Sequence, residues 1–186
     1  MKSQRFKANS ILASSTLSFT VCFMIWMVFA VLGIPIKAQL GLSQTQFGVL
    51  TAMPVLSGSL IRVPLGILTD RYGGRIVFFI LMIACIPAVF LLQYATQYWH
   101  FFFFFLWMGL IGGSFSVGTP YVAKWFDQHR QGLAMGIFGA GNAGTAVNKF
   151  IAPTLIVAFG WTFVPTVYSA VLLVTALIFW FTTYAD

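Results

Sequence analysis

Most charged residues in this chain fall at the ends of long apolar runs rather than within them. Six such runs can be drawn, at about 11–35, 46–69, 76–96, 101–124, 132–158 and 163–183. Each is long enough to cross a hydrocarbon core about 30 Å thick as a tilted helix. The joints carry the marks of helix ends. Ser43 and Gln46 have capping-box spacing at the start of the second run. Gly73-Gly74 breaks the chain after it, and Trp99 and Trp161 stand where interfacial aromatics belong. The pattern predicts an all-α membrane protein, with a tail over 1–10 and a bundle of six transmembrane helices over 11–186.

Composition agrees. The 186 residues are 60% hydrophobic and 7% charged, too few charges to coat a soluble domain of this size. The formal net charge of +7 would suit nucleic acid only on a continuous face. Here the basic residues sit at run ends or inside runs, so nucleic acid is excluded. Glutamate is absent, and the acids Asp70, Asp127 and Asp186 all lie outside the apolar runs. No carboxylate is therefore available in the membrane for cation coordination or proton relay. Cys22 and Cys85 read as small packing residues, and His100 and His129 add no ligand spacing. Neither a metal, a cofactor nor a nucleophile–base pair is legible, so an enzyme is not expected.

Charge also orients the chain. Lys2, Arg5, Lys7, Arg71, Arg75, Lys124 and Arg130 fall on one side and Lys37 alone on the other. The positive-inside rule places both termini in the cytoplasm. The first run follows basic residues as a signal peptide does, but it is long and lacks a small-residue cleavage site, so it is expected to stay as the first span.

Two spans carry chemistry. The second holds Arg62 inside an apolar helix, together with Pro54, Pro64, Gly58 and Gly66, and is expected to bend near the arginine. A cation costs several kcal/mol there, by roughly 2.5–3.5 on insertion scales, so an unpaired Arg62 points to function and to an anionic visitor. The alternative is a structural arginine bonded to helix carbonyls or snorkelling outward. The fifth span is rich in glycine, at 132, 136, 139, 141 and 144. Packing is the expected role of Gly136, Gly139 and Gly144. Asn142, Thr145 and Lys149 follow i, i+3, i+7 spacing and share a face. Lys149 reads equally well as a member of an anion site or as a snorkelling cation. The fourth span, with Gly109, Gly112, Gly113 and Gly118, is the expected surface for the fifth. Phe101–Phe105 reads as mostly lipid-facing bulk.

The stretch Gly66-Ile-Leu-Thr-Asp70-Arg71-Tyr-Gly73-Gly-Arg75 resembles the loop motif between helices two and three of the major facilitator superfamily, departing from it at Gly74. That resemblance implies that Gly66, Asp70, Arg71, Gly73 and Arg75 form a conformational latch. Gly139-Ala-Gly141-Asn142-Ala-Gly144 resembles the nitrate signature of the nitrate/nitrite porter family, as do Gly112-Gly113-Ser-Phe115 and Trp125-Phe126. It implies that Arg62 is the substrate-binding arginine, with Asn142 and Gly141 at or beside the anion. Thr145 and Lys149 join the candidates through their stripe, and Phe115 with Phe23 as walls for a flat ligand.

The implied function is transport of nitrate and nitrite across the cell (inner) membrane by alternating access, with nitrite exchange or proton symport as the coupling. Family members have twelve helices, so six imply a fragment, a split half or a parallel homodimer. Another small anion such as formate or oxalate, or a six-helix subunit that transports nothing, remains an alternative.

Overall fold

The computed structural model describes residues 2–185, with side chains from Gln4 onward, and every regular element within them is a helix. The Lys2 side chain and Asp186, both used above, lie outside what is described. In chain order the α-helices are α1 Lys2–Trp26, α2 Phe29–Leu40, α3 Gln44–Leu60, α4 Arg62–Tyr72, α5 Gly74–Leu91, α6 Tyr98–Met108, α7 Ser114–Ala123, α8 Gln128–Gly139, α9 Gly144–Phe159 and α10 Phe163–Thr182. Short 3-10 segments stand at Leu92–Tyr94, Gly109–Gly113 and Ala140–Ala143.

These elements assemble into six runs, and five of them are long and apolar enough to cross a membrane: Gln4–Leu40, Gln44–Tyr72, Gly74–Tyr94, Tyr98–Ala123 and Phe163–Thr182. The remaining run joins α8, the 3-10 turn and α9, of 12, 4 and 16 residues. It has the length to cross, but its glycines, Asn142, Asn148 and Lys149 lower its hydropathy. Helix starts at Lys2, well ahead of the expected boundary at 11.

Local chemistry explains the joints. Ser43 caps α3 through a reciprocal capping box with Gln46. Gly41, Gly73 and Gly160 have positive φ of 59°, 84° and 84°, the conformation that lets a chain leave a helix without a Cβ clash. The second run is interrupted at Ile61, between α3 and α4, where the bend is expected. Pro64 has no N–H for the carbonyl four residues back, so the ladder loses a rung at Leu60. Pro54, by contrast, sits inside α3 without ending it.

The first run is the axis of the bundle; α1 packs against α7, α8, α9 and α10. Glycines set the closest crossings. A Cβ on Gly144 would stand 2.1 Å from the Thr20 carbonyl oxygen, and one on Gly141 2.4 Å from the Phe19 ring. Three expectations change here. Gly136 and Gly139 meet nothing within 4 Å and face open space, so among the three expected packing glycines Gly144 alone fills that role. Gly109, Gly112 and Gly113 receive Pro54 and Ser57, Trp26, and Ile61 and Leu65 from the second and first runs; Gly118 meets Phe138 of the fifth. Phe101 and Phe105, four residues apart on one helix face, are fully buried, while Phe103 between them points out.

Candidate functional site

Arg62 is the first residue of α4, immediately past the bend. Its neighbours Ile61 and Leu65 pack on Gly113 and line an apolar groove with Val77, Leu81 and Leu110. Arg62 lies about 100° round the helix from Ile61. That turn carries it away from the groove toward the face of Ser59 and Gly66, where Gly66 has nothing within 4 Å. Arg62 is exposed, and among the described residues it makes no hydrogen bond and no ion pair. Neither a helix carbonyl nor a carboxylate has claimed it.

A ladder of contacts leads from Ile61 and Leu65, the neighbours of Arg62, across the bundle. Gly113 lies against Ile61 and Leu65, and Gly112 against Trp26, whose indole N–H donates to the Pro54 carbonyl at 2.9 Å. Trp26 packs on Phe23 (5.1 Å between centroids) and Phe23 on Phe19 (5.4 Å). Phe19 stacks on Phe138 at 4.8 Å and meets Phe115 at 5.6 Å. Gly141 closes the ladder against Phe19.

The other candidates fall into two groups. Asn142 is exposed and donates one amide hydrogen to the Gly139 carbonyl at 2.8 Å, leaving its second hydrogen and its oxygen for a visitor. Thr145 is half-buried and Lys149 exposed on the turns that follow, and Phe115 is 42% exposed at the edge of the aromatic ladder. Gly141 is buried beneath Phe19, so its role there is to let two helices approach. Gly66 stands one turn on from Arg62 within α4, while Asp70, Arg71, Gly73 and Arg75 lie at or beyond its other end. There Arg71 lies over the Tyr72 ring at 5.4 Å, while Arg75 reaches α10, donating to the Trp180 carbonyl at 2.6 Å and covering its ring at 4.2 Å.

Asn148 escaped the sequence reading. It is 1% exposed, donates to the Met27 carbonyl at 3.0 Å and accepts from the Tyr168 hydroxyl at 2.8 Å. Met27 marks the interruption between α1 and α2, so this amide serves a carbonyl that the helix ladder holds only through an i+3 contact from Ala30. A buried amide in an apolar run has to find such partners, and that was the signal available.

Much of the second run lacks a covering partner. Only 28% of its most apolar window is buried, against 56% for the first and fourth runs. Arg62, Ser59 and Gly66 belong to this open surface, as do Asn142 and Lys149 on the fifth run.

Comparison with known proteins adds independent findings. The family model described as "Major Facilitator Superfamily" matches residues 15–186. The chain is 42% identical over 182 residues to a probable nitrate/nitrite antiporter of Thermus thermophilus, covering 91% of this chain and 41% of that protein. It is 35% identical over 167 residues to a nitrite extrusion protein of Bacillus subtilis strain 168, covering 90% and 42%. It is 36% identical over 170 residues to a probable nitrate transporter of Staphylococcus carnosus strain TM300, covering 91% and 44%. The chain thus spans less than half the length of these curated relatives. Among solved structures, a bacterial homologue of the human lysosomal transporter Spinster, inward-facing and unoccupied, superposes with a TM-score of 0.85 at 19% identity. That match covers 97% of this chain and 44% of the other, and it shows the fold alone.

Proposed function

This chain belongs to the major facilitator superfamily, and we propose that within it the chain serves transport of nitrate and nitrite by alternating access, as a transporter and not an enzyme. The observation that carries the reading is Arg62, exposed and unclaimed at the bend of the second run. A guanidinium offers a planar fork of donors that matches a planar oxyanion, whereas an ammonium is a point charge. Asn142 supplies a further donor, and Phe115 with Phe23 supplies aromatic edges that favour a flat anion over a tetrahedral one. The names of the relatives point to the same two substrates.

The open faces of the second and fifth runs are where a second six-helix half would sit. The two halves of this superfamily are parallel repeats about an axis along the membrane normal, and alternating access is a rocking of one against the other. Binding an anion cancels fixed positive charge in the cleft and lets it close, which favours exchange over uniport. Importing a monoanion against an inside-negative potential costs about 2.3 kcal/mol per 100 mV, and nitrite leaving in exchange removes that cost. The basic end of the bundle is cytoplasmic on this reading, and the membrane is the inner one.

The test is Arg62→Lys in the complete transporter, reconstituted in proteoliposomes and assayed for nitrate uptake. Charge is kept and the fork is lost, so uptake is expected to fall by at least about tenfold. Near-normal uptake with near-normal affinity overturns the site.

A further inference from the structure

The basic end of the bundle contains a cleft that the Arg62 site does not use. Overlapping cavities there, the largest of about 680 Å³, are lined by Gln4, Arg5, Asn9, Phe126, Asp127 and Arg130. Arg5 and Asn9 share one face of α1, and Arg130 opens the facing side of α8. Among the described residues neither guanidinium makes a side-chain hydrogen bond or ion pair, although the Asp127 carboxylate lies in the same cleft. Trp125, in the same wall, holds its indole N–H without an acceptor. Two unpaired guanidinium groups and an amide around one cavity, outnumbering the single Asp127 carboxylate, make a constellation suited to an anion.

The cleft also points the right way. Along α1 the face of Arg5 and Asn9 continues through Leu12 to Phe19; along α8 the face of Arg130 continues through Ala134 to Ile137 and Phe138. The adjoining cavity, about 310 Å³, runs from Arg5, Asn9 and Arg130 to Leu12 and Ile137. It ends two turns short of Phe19 on α1 and beside Phe138 on α8, the two stacked rings beyond which lie Phe115 and Asn142. Arg130 and Asn142 are 12 residues apart, or about 18 Å along the run.

We propose that Arg5 and Arg130, with Asn9, form a second oxyanion site at the basic mouth, where nitrate or nitrite waits between the aqueous phase and the midplane. The Phe19–Phe138 pair separates the two stations, and the anion passes it as the complete transporter opens toward this end. The proposal rests on the nitrate reading above. A cationic mouth raises the local anion concentration and the capture rate, an effect that fades as salt shortens the Debye length.

The experiment compares wild type, the double variant Arg5→Gln with Arg130→Gln, and the charge-keeping double variant to lysine, all in the complete transporter. Nitrate–nitrite exchange is measured in sided phosphatidylcholine vesicles, with nitrate varied on one face at a time. The glutamine pair is expected to raise KM at the basic face at least fivefold more than at the opposite face. It should also flatten the dependence of that KM on ionic strength, and the lysine pair should restore most of both. Equal KM changes at the two faces, or none, overturn the proposal. So does an effect seen only when phosphatidylglycerol is present, since the occupant is then a lipid headgroup. Wild type that exchanges no nitrate from either face fails the function itself, a result the two-sided assay separates from failure of the second site.

Discussion

The hydroxyl of Tyr168 on α10 donates to the side-chain oxygen of Asn148 on α9 at 2.8 Å, and the same amide donates to the Met27 carbonyl at 3.0 Å. One side chain thereby ties the fifth and sixth runs to the interruption in the first. Both partners are 1% exposed, so neither group has water to fall back on.

Replacing Asn148 with leucine strands the buried Tyr168 hydroxyl and leaves the Met27 carbonyl only its i+3 contact from Ala30. Unsatisfied buried groups cost about 1–3 kcal/mol each, although interhelical bonds in membrane proteins average nearer 0.6. Asn148→Leu is expected to destabilise the complete transporter by about 1–3 kcal/mol, and Tyr168→Phe by less, since phenylalanine removes the donor instead of stranding it. Denaturation in mixed micelles, read by tryptophan fluorescence, measures both. Equal stability of Asn148→Leu and wild type would show that the amide carries no weight.

Arg62 predicts the opposite profile. It satisfies no protein group, so Arg62→Gln should leave stability unchanged or slightly raised, within about 0.5 kcal/mol of wild type. The same variant should abolish nitrate exchange. A matching loss of stability would reassign the arginine to structure.

The fifth run offers a contrast among its glycines. A Cβ at Gly144 meets backbone at 2.1 Å, where nothing can rotate away, and overpacking of this kind costs about 1–3 kcal/mol. Gly144→Ala should therefore lower folded yield and stability, whereas Gly136→Ala, which meets nothing within 4 Å, should spare the fold. Comparing detergent-extracted monodisperse yield distinguishes them.

At the basic end, Arg75 holds the end of α10 through the Trp180 carbonyl at 2.6 Å and the Trp180 ring at 4.2 Å. Arg75→Gln removes the charge from both contacts and should cost about 1–2 kcal/mol. Trp180→Leu keeps the carbonyl contact and removes the ring alone, so its effect should be smaller. A double-mutant cycle on thermal midpoints gives the ring term, and a coupling near zero would remove it from the account.

How much was legible in advance follows from the physics of each feature. The bend near Arg62 could be read because proline deletes a hydrogen bond wherever it sits in a helix. Ser43 with Gln46 could be read because a capping box is local. The partners of glycines are different. Gly136, Gly139 and Gly144 look alike along the chain, yet one lies against the Thr20 carbonyl and two face open space, because that depends on which helix crosses where. Phe101 and Phe105 could not be singled out as the buried pair for the same reason: a run of five phenylalanines hides which face the neighbours cover. Asn148 went unnoticed beside Lys149, although its burial makes it the more constrained of the two.

Sequence by itself determined that this is a helical membrane protein of six runs, with an isolated arginine within one run and its family likeness in two motifs. These are one-dimensional properties, set by hydropathy, charge placement and residue spacing. Only the tertiary structure decided that Arg62 stands unclaimed, that the aromatic ladder lies between it and Asn142, and that Arg5 and Arg130 face one cleft. Those depend on the crossing points of helices far apart in the chain, where shape and hydrogen bonding, not composition, select a partner.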